Sequence, residues 1–75
     1  MEKDIFVVQF DNGIDRRSVP TLQPDIIFAA MFGQRHANGI FGQRWNGIAD
    51  QRQWKIVVLS RKGERHEEPV GAAAA

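Results

Sequence analysis

Residues 54 to 60, WKIVVLS, form a short apolar run rich in β-branched residues and bounded by polar ones, which is the pattern of a strand. A strand sends alternate side chains to opposite faces, so Ile56 and Val58 need cover on one side and Val57 and Leu59 on the other. This reads as the central strand of a sheet with another element packed on one of its faces. The best candidate for that element is DIIFAAMF, residues 25 to 32. Pro24 suits a first helical turn, Asp25 favours the positive end of a helix, and Gly33 offers a left-handed cap after the last turn. Against a helix stand Ile26, Ile27 and Phe28, which favour strand, and the segment is apolar on every side, so periodicity does not decide. A helix over 25 to 32 is the expectation. The fold class is then α+β, a small antiparallel sheet with one short helix; if 26 to 32 is a strand, the competing architecture is an all-β SH3-like small barrel.

The remaining elements follow from local signals. DIFVVQF, residues 4 to 10, reads as the first strand, and Asp11-Asn12-Gly13 as the turn after it. Ile14 to Val19 is a weak returning strand whose Asp15, Arg16, Arg17 and Ser18 suit an exposed edge. Pro20 is expected to close it, leaving PTLQP as a loop. After the central strand, Arg61 to Glu64 reads as a hairpin loop leading to a charged last strand or tail, RHEEPV.

A chain of 75 residues has material for one domain with a thin core, here expected over residues 1–70, and GAAAA at the end is read as an alanine tail, 71–75, outside the fold. The hydrophobic share of 43% and charged share of 25% are those of an ordinary globular protein. With no cysteine, disulfides and thiolate metal sites are excluded, so the missing stability has to come from packing or self-association. The longest apolar run, IIFAAMF, falls short of the ~18 residues of a membrane span. MEKDIFVVQF lacks the basic start and longer apolar stretch of a signal peptide, and the expected location is cytoplasmic.

Residues 32 to 47, FGQRHANGIFGQRWNG, say nearly the same thing twice. Asn-Gly is the most favourable pair for a type I′ turn, and if Asn38-Gly39 and Asn46-Gly47 both turn, the register is set around each. Phe32, Gln34, His36, Phe41, Gln43 and Trp45 then share one face of a sheet, while Arg35 and Arg44 lie on the other. This requires Phe32 and Gly33 to leave the helix and begin a strand, in tension with the helix over 25 to 32.

Charge points to the same region. Residues 1 to 33 carry three cations and five acids, whereas residues 34 to 65 carry seven cations and two acids. Basic residues interleaved with aromatic ones are what a surface for single-stranded nucleic acid needs, since arginines meet phosphates and flat rings stack on unpaired bases. The candidate binding residues are Arg35, Phe41, Arg44, Trp45, Arg52, Lys55, Arg61 and Lys62. The bland reading stands beside this one: arginines are usually a solvated face, Asn-Gly suffices as a turn, and a thin core needs its tryptophans. Trp54, next to the apolar strand, is read as core; Trp45 is divided between core and stacking platform.

No motif for catalysis is present: there is no phosphate-binding glycine loop, no G-x-S-x-G, and His66-Glu67-Glu68 lacks the second histidine of HExxH. The expectation is a small non-enzymatic binding domain with neither cofactor nor metal. Its partner is nucleic acid, most simply single-stranded. The alternative is a protein-protein interaction module or small inhibitor, acting alone or as a homodimer, with Trp, Phe and Arg as interface anchors.

Overall fold

The computed structural model describes residues 2–13, 16–40 and 54–71, with 38–40 as backbone only. β1 (Asp4–Asp11) alternates strictly, with Phe6, Val8 and Phe10 buried and the residues between them turned to the other side. β2 (Arg16–Gln23), α1 (Ile26–Ile40), β3 (Lys55–Ser60) and β4 (Arg65–Pro69) follow. All strand neighbours are antiparallel, and the sheet order is β2-β1-β3-β4. The α+β expectation is correct and the closed barrel is not: among the described residues β2 and β4 are the outer strands of an open sheet.

The apolar run that demanded cover on both sides is indeed central. β3 pairs with β1 from Phe6↔Ser60 to Asp11↔Lys55 and with β4 from Lys55↔Pro69 to Leu59↔Arg65. Ile56 and Val58 join Phe6, Val8, Phe10 and Trp54 beneath α1 as one apolar core. Trp54 is 3% exposed, as its position beside the strand implied. Val57 is 1% exposed yet stands apart from that core. Its register places it on the opposite face, between Gln9 and Glu67.

α1 begins where expected and ends later. The Asp25 carboxylate accepts the Phe28 N–H at 2.9 Å, a side-chain cap on an orphan donor of the first turn. The helix then runs through Gly33, which was expected to terminate it, to Ile40. Gly33 is instead the point where the helix touches the sheet. A Cβ built on it would lie 2.9 Å from Val8 Cγ1 and 3.1 Å from Ile56 Cγ2, so only a residue without one lets α1 settle at this depth. Ala29, Ala30 and Ala37 are buried beside it, small residues at helical spacing on one face.

This longer helix overturns the first of the two Asn-Gly hairpins. Asn38-Gly39 lies inside α1, and Phe32, Gln34, Arg35 and His36 are helical, not members of a strand. Burial of the Ala29, Gly33 and Ala37 face against the sheet outweighs the turn preference of a dipeptide, as tertiary packing does for most helices. The second pair, Asn46-Gly47, lies outside the described residues.

β2 also corrects the sequence reading. Its edge position is as expected, but Pro20 does not end it: Pro20 pairs with Val7, and Thr21, Leu22 and Gln23, expected as loop, continue opposite Phe6, Ile5 and Asp4. An edge strand tolerates proline because one side of its ladder carries no partner. The β3–β4 hairpin matches its expected place. Ser60 Oγ accepts the N–H groups of Lys62 at 3.2 Å and Glu64 at 3.0 Å, and Gly63 supplies the φ of +90° that the turn requires.

Candidate interaction surface

The eight residues nominated from sequence do not form one group in the described structure. Phe41, Arg44, Trp45 and Arg52 lie outside the described residues. The other four are all exposed but fall in three places: Arg35 on α1, Lys55 on β3, and Arg61 and Lys62 in the turn between β3 and β4. Lys55 reaches Glu67 Oε1 at 3.1 Å, and Arg61 Nε reaches Asp4 Oδ1 at 3.3 Å. Two of the four cations therefore already face acids of the same chain.

The open face of the sheet, opposite α1, concentrates such pairs. Arg16 and Asp11 are cross-strand partners and meet at 3.3 Å; Glu67 lies between Lys55 and Arg65, which approaches to 2.6 Å. The Glu67 carboxyl is held below its ordinary range first by the hydrogen bond from Arg65 and then by that from Lys55. Asp11 is lowered chiefly by the Gly13 backbone N–H at 2.7 Å, with Arg16 and Lys55 adding to it. A shallow cleft of about 470 Å³ opens at this end of the sheet, lined by Asp11, Gly13, Trp54, Lys55, Glu67 and Pro69 among others. Of the carboxylates that line it, Asp11 and Glu67 are met by Arg16, Lys55 and Arg65, and Glu68 by Gln34 and His66, so each already has a partner within the chain. Among the described residues no group of three or more His, Cys, Asp or Glu side chains is placed to hold a metal.

Both histidines already have partners, one in ring packing and the other in a polar contact. His36 on α1 lies against two rings, Phe10 at 5.5 Å and Phe32 at 5.7 Å between centroids, both stacked. His66 on β4 meets Glu68 Oε1 at 2.8 Å. Gln34 fastens α1 to the same strand: its Nε2 donates to Glu68 Oε2 and, at 3.0 Å, to the Pro69 carbonyl, while its Oε1 accepts the Gly71 N–H at 2.8 Å. The Gln-Arg repeat that drew attention in the sequence is thus, at Gln34, a structural clamp.

What the sequence reading missed is apolar. Ile5, Leu22, Ile27, Phe28 and Met31 are each between 43 and 59% exposed. Ile5 and Leu22 are cross-strand partners at the start of β1 and the end of β2. Ile27, Phe28 and Met31 lie on the first half of α1, on the other side of the sheet from the Ile5–Leu22 pair, which belongs to the open face. At about 100° per residue, Ile27, Phe28, Met31 and Arg35 share one outward arc of α1, opposite the buried Ala29, Ala30, Gly33 and Ala37. The sequence did carry the signal: IIFAAMF is apolar all round, whereas a helix laid on one sheet buries only one side.

No helix among the described residues is long and apolar enough to cross a membrane. Compared with protein-family models, curated proteins and solved structures, the chain matches none.

Proposed function

We propose that this chain is a small protein-interaction module whose contact surface is the outer ridge of α1. The observation that carries this reading is the exposure of Ile27, Phe28 and Met31 together on one helix face. Single exposed apolar residues are ordinary on any surface, but a contiguous group on a helix is how helical recognition surfaces are built. The sheet edges are poorly suited to the task. β2 carries Pro20 with Arg16 and Arg17, and β4 is five residues long, charged, and ends on Pro69; such features discourage strand addition. A partner is therefore met by a face. The test is capture from a lysate of the source organism with the wild-type chain and with Phe28→Ser. A partner retained by the first and lost by the second is the expected outcome, and equal capture by both refutes the ridge as the contact surface.

A second reading, a surface for single-stranded nucleic acid, is favoured by the seven cations against two acids in residues 34 to 65 and by the exposure of Arg35 and Lys62. Its test is a salt titration with labelled single-stranded RNA and DNA. Binding that falls steeply with ionic strength and weakens in Arg44→Ala and Trp45→Ala supports it, and no binding at low salt ends it.

A further inference from the structure

Resting on the interaction-module reading, we infer that the occupant of the α1 ridge is a second copy of this chain, bound with the two helices antiparallel across a two-fold axis. The argument is the placement of charge along the ridge. From Ile26 to Gln34 the helix bears no charged residue. Its flanks carry one of each sign, Asp25 at the N-cap and Arg35 toward the other end, both exposed. They are ten residues apart, about 15 Å along the axis at 1.5 Å per residue.

A two-fold axis at the level of residue 30 sets residue 25 of one copy opposite residue 35 of the other, and by symmetry makes the same pair twice. Asp25 then comes level with Arg35 at both ends of the contact, about 80° further round the helix, a gap that the long arginine side chain has to span. Phe28 and Met31 fall within about 3 Å of that level, so the exposed ring and thioether of each copy meet near the centre. A parallel pairing would set Asp25 against Asp25 and Arg35 against Arg35. The ridge is thus complementary to its own reversed copy in charge as well as in apolar character. The cap uses one acceptor position of the Asp25 carboxylate and leaves others for a guanidinium. Two short ridges bury less than the ~1,600 Å² of a standard interface, so the dimer is expected to be of micromolar affinity or weaker.

The experiment is sedimentation velocity on the purified full chain from about ten micromolar to one millimolar, a range chosen for such an affinity. Four samples are run: wild type, Arg35→Glu, Asp25→Arg, and an equimolar mixture of the last two. Wild type should dimerise. Each single variant, which puts like charges opposite one another, should weaken dimerisation about tenfold or more, and the mixture should recover it, because one chain then carries two acids and the other two bases. Phe28→Ser, at an exposed position, should abolish dimerisation while its circular dichroism stays that of the wild type. Because Asp25→Arg also removes the helix cap, Arg35→Glu and Phe28→Ser decide the outcome if that variant folds poorly. A wild type that is monomeric throughout, or a dimer indifferent to Arg35→Glu, overturns the inference. In either case, lysate capture that still depends on Phe28 leaves the interaction module standing with a different partner; loss of both brings down the two together.

Discussion

The two faces of the sheet are built from adjacent residues of the same strands, and they behave as different materials. Toward α1, Phe6, Val8, Phe10, Ile56 and Val58 are nearly or wholly excluded from water. One residue along, Ile5, Val7, Gln9 and Asp11 on β1 and Lys55 and Leu59 on β3 keep some or much of their surface. There the contacts are ion pairs: Asp11 with Arg16, and Glu67 with Lys55 and Arg65. The difference teaches where the fold's stability resides. Exposed pairs contribute little each, because water screens them and long side chains lose freedom in making them. Buried apolar area contributes about 25 cal/mol per Å² and dominates in a chain this small.

The largest break in that contrast is expected from Phe10→Ala. It removes a ring that is 2% exposed beneath the helix and stacked on His36, and should cost about 3 to 5 kcal/mol in denaturant unfolding. That is a large share of the ~4 to 11 kcal/mol that a domain of this length commands. Val57→Ala probes the other face at a residue equally hidden from water. The loss should be near 1.6 kcal/mol, the transfer value of the two carbons removed, if the neighbouring chains close the gap. A loss as large as that of Phe10→Ala would mean that the open face holds a core of its own.

Gly33→Ala tests the helix-covered side from above. Helix propensity returns about 1 kcal/mol, while the added methyl overpacks against stiff Val8 and Ile56 for about 1 to 3 kcal/mol, so a net destabilisation near 1 kcal/mol is expected. A stabilised variant would show that α1 rides higher than described. The smallest effect belongs to acid. Asp11 and Glu67 both have lowered carboxyl pKa values, so their contribution is present above the ordinary carboxyl range and disappears as the pH falls through the lowered values. Unfolding midpoints should therefore decline modestly below about pH 4. Salt should flatten that decline, and Glu67→Gln should remove part of it.

How much of this was legible in the sequence differs by element, and the reasons are physical. β1 and β3 announced themselves because their β-branched and aromatic runs fit a half-buried or fully buried strand and little else. Trp54 was legible from its neighbours. The edge nature of β2 could be read from Arg16 and Arg17, but not its extent, because proline stops a central strand and not an edge one. α1 was half legible. Gly33 carries two meanings, cap and close contact, and only the sheet beneath it selects between them. Asn38-Gly39 misled for the same reason, its turn preference being a local quantity and the helix a tertiary one. For the candidate surface, residue type was a fair guide to charge but not to pairing. Lys55 and Arg61 meet Glu67 and Asp4 across sequence gaps that no local pattern discloses.

The notch at Gly33 reaches beyond packing. By keying α1 against Val8 and Ile56, it fixes the helix's roll about its own long axis, and so decides which side chains look outward. More than two fifths of Phe28 and Met31 is thereby held outward, and selection can rewrite what that ridge greets while the Gly33 seat beneath it stays the same.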